Sequence, residues 1–371
     1  MEQNRKVLIS GASFAGLTTA YWMSLMGYKV TVVEIGHQLK MGGTLVDIKE
    51  NTVDIVKRMG LYEKIKANRL KLELWEFKNA DDVTGHTIPL KQPSEKLPDN
   101  EFEIERDTLL NILFDTICKD VEFIFSNRIT ALDETKDSIK VTFKDGSQSI
   151  YDLVFGCDGI HSAVRKIWFG NEAEYSHFLG QYFSITTVNK LLIKQNTLQM
   201  YGVPNKSIIL NAYNNKTDIV FSFRPEKEIP YDFRNQEQQK IIVLEQFEGG
   251  SWRTEELLKE VMNSKTFYFD KFCQIKMPSW TKGRVALVGD AGYSASPAAG
   301  MGGSLAIIGA TALADALKKH KGNYELAFDD YNKELRPFIE DVQTGAESML
   351  EVLLSRTKEA VRKRYTEGFG F

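Results

Sequence analysis

Two runs of small residues carry most of the chemical information in this chain. The first, Gly11-Ala12-Ser13-Phe14-Ala15-Gly16, follows a short β-rich run, Lys6 to Ser10, and opens a helical pattern. Small side chains at this spacing let the backbone turn tightly, approach a pyrophosphate and pack helix against strand. The free N–H groups at the helix start then receive the negative charge. Gly11, Ser13 and Gly16 hold the spaced positions, with Ser13 standing where the usual pattern has its middle glycine. Glu34 ends the next buried run, Lys29 to Glu34, where an acid can accept hydrogen bonds from an adenosine ribose. Together these residues point to a dinucleotide, without separating FAD from NAD.

The second run extends from Gly289 to Ser304, GDAGYSASPAAGMGGS, between the strand-like RVALV and a helical pattern. Residues this small leave the main chain open to something broad and flat. Pro297 fixes the path, while Gly300, Gly302 and Gly303 bare the backbone. The helix that follows points its N–H groups back at this loop and favours negative charge there.

Other chemistries lack their residues. His37, His86, His161, His177 and His320 show no metal-ligand spacing, and Cys118, Cys157 and Cys273 form no CxxC. There is no nucleophile elbow, so no metal site and no catalytic side chain is assigned. A cofactor is expected to carry the hard chemistry. His161 is expected to be a turn residue facing solvent.

The elements that must position these residues alternate along the chain. Lys6 to Glu34 reads as strand, helix, strand, the pattern of a parallel sheet with a crossover. Residues 51 to 59 and 107 to 118 read as helices, and VEFIFSN through DLVFG reads as a meander with a turn at Asp145-Gly146. Residues 176 to 226 read as an antiparallel sheet. The tail beyond Asn323 reads as helical, with Pro337 in a first turn and an apolar stripe of Phe338, Val342, Met349, Leu350 and Leu353. The fold class expected is mixed α/β (α+β). A Rossmann-like dinucleotide-binding domain (1–69, 101–175 and 276–323) interleaves with an antiparallel β-sheet substrate domain (70–100 and 176–275), followed by a C-terminal helical segment (324–371).

A net charge of −3 gives no reason to expect a nucleic-acid partner. The basic cluster Arg362, Lys363, Arg364 is expected to complement the negative end of the last helix. Unpaired cysteines, the lack of a signal peptide and the lack of a long apolar span predict a cytoplasmic protein without a membrane partner.

Two further motifs narrow the dinucleotide. Cys157-Asp158-Gly159 with Ser162 and Arg165 follows one strand-like run, and Gly289-Asp290 follows another. With the fingerprint and Arg106-x-x-Leu109, in this order, the chain resembles the FAD-dependent monooxygenases of the para-hydroxybenzoate hydroxylase type over almost its whole length. Gly42 to Leu61 and the tail look most like the antibiotic-modifying branch, which includes tetracycline-inactivating enzymes. The resemblance implies noncovalent FAD, NADPH or NADH as transient reductant, and O₂. It also implies a C4a-hydroperoxyflavin that hydroxylates a small aromatic or polycyclic substrate.

In such an enzyme Asp290 would hold the ribityl chain, and Asp158 and Gly159 would lie near the pyrophosphate and the reductant's route. Arg106 would touch the cofactor, with Phe14, Ala15, Lys40, Gly43 and Asp47 completing the set. Tyr201, Tyr213, Phe221 and Phe223 would wall the substrate, with Arg224 as polar anchor; a plain core stripe is the competing reading of these aromatics. The chain departs from the family at Tyr293, often His, at Ser304, often Asn, and at Gly309, often Asp. Alternatives on the same scaffold are an oxidase, a reductase, a halogenase, or a flavin-binding sensor without turnover. Substrate identity and monomer against homodimer stay open.

Overall fold

Lys6–Ser10 and Lys29–Val33 are buried from their second residue onward and pair in parallel, Lys6 opposite Lys29 and Ser10 opposite Val33. Parallel neighbours need a crossover, which the helix Phe14–Leu25 supplies. The computed structural model describes residues 5–90 and 100–369. In it this unit grows into a sheet ordered Thr281–Lys282, Val285–Leu287, Leu153–Gly156, Lys6–Ser10, Lys29–Val33, Glu122–Ile124. Its edge strand Thr281–Lys282 runs antiparallel; the others are parallel. Three of these neighbours, Lys6–Ser10, Leu153–Gly156 and Val285–Leu287, run directly into the three motifs. The motifs therefore converge at one carboxyl edge, where open α/β sheets bind ligands.

The second sheet is ordered Phe267–Ile275, Ser176–Val188, Lys216–Phe223, Lys206–Tyr213, Thr197–Val203, Leu74–Lys78, Thr84–Pro89. Pairing is antiparallel except between Thr197–Val203 and Leu74–Lys78. One face buries Tyr182, Ile219, Phe221 and Phe223 beneath the helices Gln236–Phe247 and Thr254–Asn263. The other face packs Phe183 and Phe272 against Ala298 of the second small-residue run. Residues 91–99 of the expected 70–100 segment lie outside the described residues. Among the described residues no helix is long and apolar enough to cross a membrane.

Several local expectations change. Only Ile129–Glu134, Ile139–Phe143 and Gln148–Tyr151 form the meander; Glu122–Ile124 and Leu153–Gly156 join the parallel sheet instead. Alternation alone cannot choose a strand's partner, because distant packing does. Pro337 sits inside the 30-residue helix Tyr324–Leu353 rather than in a first turn. An interior proline costs about 3 kcal/mol, which burial of Tyr331, Leu335, Ile339, Ala346 and Leu350 along one face offsets. Of the expected stripe only Leu350 is buried; Phe338, Val342, Met349 and Leu353 flank that face half-buried.

The basic cluster also acts differently. Arg362 and Lys363 are exposed, but Arg364 is buried and donates to the carbonyls of Val352 at 3.0 Å and Leu353 at 2.8 Å. It caps the preceding helix, Tyr324–Leu353, and not its own helix, Lys358–Glu367. Burial pushes the Arg364 guanidinium down to about 10, still charged at neutral pH. Arg364→Met keeps the aliphatic stem and loses the charged bonds, so urea unfolding is expected to show a loss of about 2 kcal/mol. Lys363→Met is expected to change stability by less than about 0.5 kcal/mol.

Candidate cofactor and substrate site

At the first strand end, the backbone of the small-residue run is packed too closely for larger side chains. A Cβ on Gly16 would lie 1.8 Å from the Gly11 carbonyl oxygen, inside any tolerable contact. The helix Phe14–Leu25 begins at Ser13 without a side-chain cap, so its first N–H groups stay available for an anion. The Glu34 carboxylate accepts from the backbone N–H of Ala12 and of Gly36, each at 2.8 Å, and thereby clasps the turn.

Arg106 closes this end of the cleft. Its guanidinium donates to the carbonyls of Lys40 at 2.8 Å and Gly42 at 2.9 Å, stands over the Phe14 ring at 5.4 Å, and is 3.4 Å from Ser13 Oγ. A Cβ on Gly43 would meet Arg106 Cδ at 2.7 Å. Arg106 thus organises the Lys40–Gly43 loop beside the fingerprint. Its contact with Asp107, 3.6 Å, is a secondary one in a poorly exposed setting.

Asp158 lies at the end of its strand and shapes the turn that follows Gly159. Its carboxylate accepts from Ser162 Oγ at 2.5 Å and from the N–H groups of Ala163 and Val164 at 2.9 and 3.1 Å. Arg165, fully buried, donates to the Ala291 carbonyl at 2.8 Å and to Glu172 at 3.1 Å. It therefore ties this motif to the Gly289-Asp290 motif.

Asp290 is exposed at the end of its strand, and surrounding protein raises its carboxyl pKa against a hydrogen bond with Ser294. Pro297, Gly300 and Gly302 are exposed along the same loop, and Gly303 is the second residue of the helix Gly302–Lys319, which also lacks a side-chain cap. A Cβ on Gly303 would lie 2.6 Å from Val46 Cγ1, so the loop lies directly against the strand Leu45–Lys49. Ser304 Oγ fastens the same contact by donating to the Asp47 carbonyl at 2.6 Å. Asp47 faces Glu103 across the pairing of Leu45–Lys49 with Glu101–Glu105. Burial raises both carboxyls, and beside Asp47 the Glu103 carboxyl is pushed up to about 7.

The loop is held from beneath by residues that no sequence signal singled out. Gln343 Nε2 donates to the carbonyls of Ile275 and Ser294 at 3.0 and 3.1 Å, and Gln274 Nε2 donates to the Gln343 carbonyl at 2.7 Å. These amides brace Ser296, whose φ of 80° and ψ of 147° belong to a region almost confined to glycine. Tyr293 and Gly309 fit each other. A Cβ on Gly309 would fall 1.7 Å from Tyr293 Oη, which instead bonds to Tyr331 Oη at 2.9 Å.

The expected substrate wall is corrected. Phe221 and Phe223 are fully buried, and Tyr201 is nearly so, in the cluster under the two helices, on the sheet face away from the loop. Tyr213 turns to the other face but is packed with Leu70 and Leu72 and donates to Asp218 at 2.8 Å. Arg224 is committed to Glu351 at 2.8 Å. Strand alternation grouped Ile219, Phe221 and Phe223 correctly, but it carries no information about which face meets the cofactor side.

His161 lies in the expected turn but does not face solvent. It is partly buried, with Nδ1 3.0 Å from Glu172 and Nε2 3.5 Å from Asp270, and it stacks on Phe233 at 4.5 Å. Burial opposes its charge, but the bonds to Asp270 and Glu172 outweigh burial and lift it to about 9. Because the folded pKa exceeds the unfolded 6.5, this stabilisation is complete below about pH 6.5 and lost as pH rises through about 9. Urea unfolding across that window should show wild type losing on the order of 2 kcal/mol relative to His161→Gln.

The described geometry fits FAD. It offers an uncapped helix start, an exposed acid at the end of a strand in the same sheet, and a bared loop closing on a second helix start. Comparisons with known proteins agree. The family model described as "FAD binding domain" matches residues 4–346. A flavin-dependent monooxygenase of Legionella longbeachae is 36% identical, covering 99% of this chain and 94% of its own length. An uncharacterized Mycobacterium tuberculosis protein is 34% identical over 91% of each chain. The crystal structure of the tetracycline destructase Tet(51) is similar at a TM-score of 0.87 and 34% identity, covering 99% of this chain and 96% of that one. Klebsiella pneumoniae HpxO, complexed with FAD and uric acid, shares the fold at a TM-score of 0.78 and 19% identity. With its motifs gathered on one sheet edge and the family's pattern running nearly end to end, the chain belongs to the FAD binding domain family and is a flavin-dependent monooxygenase.

Proposed function

We propose that this enzyme uses NAD(P)H and O₂ to insert one oxygen atom into a small aromatic or polycyclic substrate, a tetracycline-like antibiotic among the candidates. Residues 1–69, 101–175 and 276–323 would hold the cofactor, while 70–100 and 176–275 would shape the substrate side. The observation that carries this reading is Asp290, exposed at a strand end and followed by the bared loop Pro297–Gly303. The 34% identity to Tet(51) over nearly the full length supports the substrate class.

The parts have separate tasks. The uncapped N–H groups after Ser13 would bind the pyrophosphate, with Gly11 and Gly16 permitting the approach, and Arg106 would add positive charge. Asp290 would accept hydrogen bonds from the ribityl hydroxyls. When bound, FAD supplies hydride acceptance and oxygen activation. The uncapped start of Gly302–Lys319 favours negative charge at the adjacent ring edge. Phe183 and Phe272 close on Ala298 from the second sheet, which helps exclude water from the loop. Glu103, poised near neutrality beside Asp47, can hold a proton next to that loop.

Two measurements test the reading. Asp290→Ala should weaken FAD binding about tenfold or more. Asp315→Ala, which breaks only a half-exposed pair between the helix Gly302–Lys319 and Arg58, should leave it unchanged. Equal FAD retention in both variants removes the role given to Asp290. With FAD and NADPH or NADH, a mass-spectrometric screen of tetracyclines, rifamycins and simple phenols should yield one product heavier by one oxygen atom. Hydrogen peroxide as the sole product with every compound would make this an oxidase.

A further inference from the structure

The edge strand Phe267–Ile275 alternates its side chains, so Tyr268, Asp270 and Phe272 share one face. Phe272 packs with Phe183 and Ala298, which places that face toward the cofactor loop. The Tyr268 ring lies 5.7 Å from the Phe183 ring. Opposite it stands Lys40 Nζ, 5.3 Å from the ring centroid, and both Arg106 and Asp290 are within electrostatic reach. Tyr268 retains 37% of its surface, although surrounding protein raises its phenol pKa well above the ordinary value.

The phenol is fixed by its oxygen. Tyr268 Oη donates to Asp270 Oδ2 at 2.8 Å, while Asp270 Oδ1 accepts from Tyr231 Oη at 2.7 Å and from the Lys271 N–H at 2.8 Å. His161 adds its ion pair to the same carboxylate at 3.5 Å. With the hydroxyl engaged, what Tyr268 offers the cleft is the ring, an electron-rich surface suited to a flat, electron-poor heterocycle.

We propose that Tyr268 is a cofactor-contacting residue, the substrate-sheet wall of the cleft in which Asp290 and Arg106 hold FAD, and that Asp270 is the positioning residue that sets its ring. This rests on the assignment of that cleft to FAD. A tyrosine ring against a flavin has a signature apart from catalysis, because it donates an electron to the excited flavin and quenches its emission. Phenylalanine keeps the contact and cannot quench this way.

The test is titration of the apoprotein of each variant with FAD, reading affinity and the emission of bound flavin. Tyr268→Phe should bind FAD within about twofold of wild type and emit more strongly; Tyr268→Leu should also emit more strongly and bind about tenfold more weakly. Asp270→Asn should raise emission in part, by freeing the ring. Unchanged emission in Tyr268→Phe overturns the proposal, even should the leucine variant fail to fold. Asp290→Asn separates the two ideas. If it loses FAD while the Tyr268 variants match wild type, only the Tyr268 contact is wrong; if none of the variants changes FAD binding or emission, the cleft itself is misassigned.

Discussion

Parallel pairing of Lys6–Ser10 with Leu153–Gly156, and of that strand with Val285–Leu287, is the constraint on which the site depends. Each strand is short and almost wholly buried, so its register is set by core packing and leaves little room to slip. Once the three lie side by side, the residues that follow them must emerge at one edge, whatever their distance in sequence. Gly11, Asp158 and Asp290 become neighbours through hydrogen bonds made one strand earlier.

A cleft at a sheet edge also needs a second wall, and here it comes from the seven-stranded sheet. The joints between the two are polar and specific. His161 meets Asp270, and Gln343 joins the strand end at Ile275 to the loop at Ser294, while Arg165 links the turn after Asp158 to Ala291 within the first sheet's own edge. Buried polar groups are costly when unpaired, so such joints tolerate one arrangement far better than its neighbours. That selectivity holds Ser296 in its strained conformation beside the bared glycines.

Much of the cofactor half was legible in the residues. The fingerprint from Gly11 to Gly16 has a local cause, since a Cβ on Gly16 would strike the Gly11 carbonyl, and a clash inside one turn leaves its mark within six residues. In the loop Gly300 has a local cause as well, its left-handed φ of 65°, whereas Gly303 is kept small by Val46, far away in sequence. The substrate half was not legible. Phe221 and Phe223 alternate as a half-buried strand should, but both faces of their sheet are covered, one by helices and one by the cofactor side. The bonds by which Asp158 holds Ser162 and the following N–H groups depend on the turn's three-dimensional path and leave no mark of their own in the residue pattern.

By itself the sequence determined the strand–turn–helix at Gly11, whose cause lies within a few residues, the left-handed turn at Gly300, and the family to which three ordered motifs belong. Only the tertiary structure decided how each acid is bonded, that Val46 packs on Gly303, which face of the second sheet meets the loop, and that Tyr293 occupies the space a side chain at 309 would need. It also decided that Arg364 caps the preceding helix and that Pro337 sits inside one. The physical reason is range. Backbone sterics act between neighbours in sequence, whereas burial, hydrogen-bond pairing and the choice of sheet face depend on residues brought together from far apart.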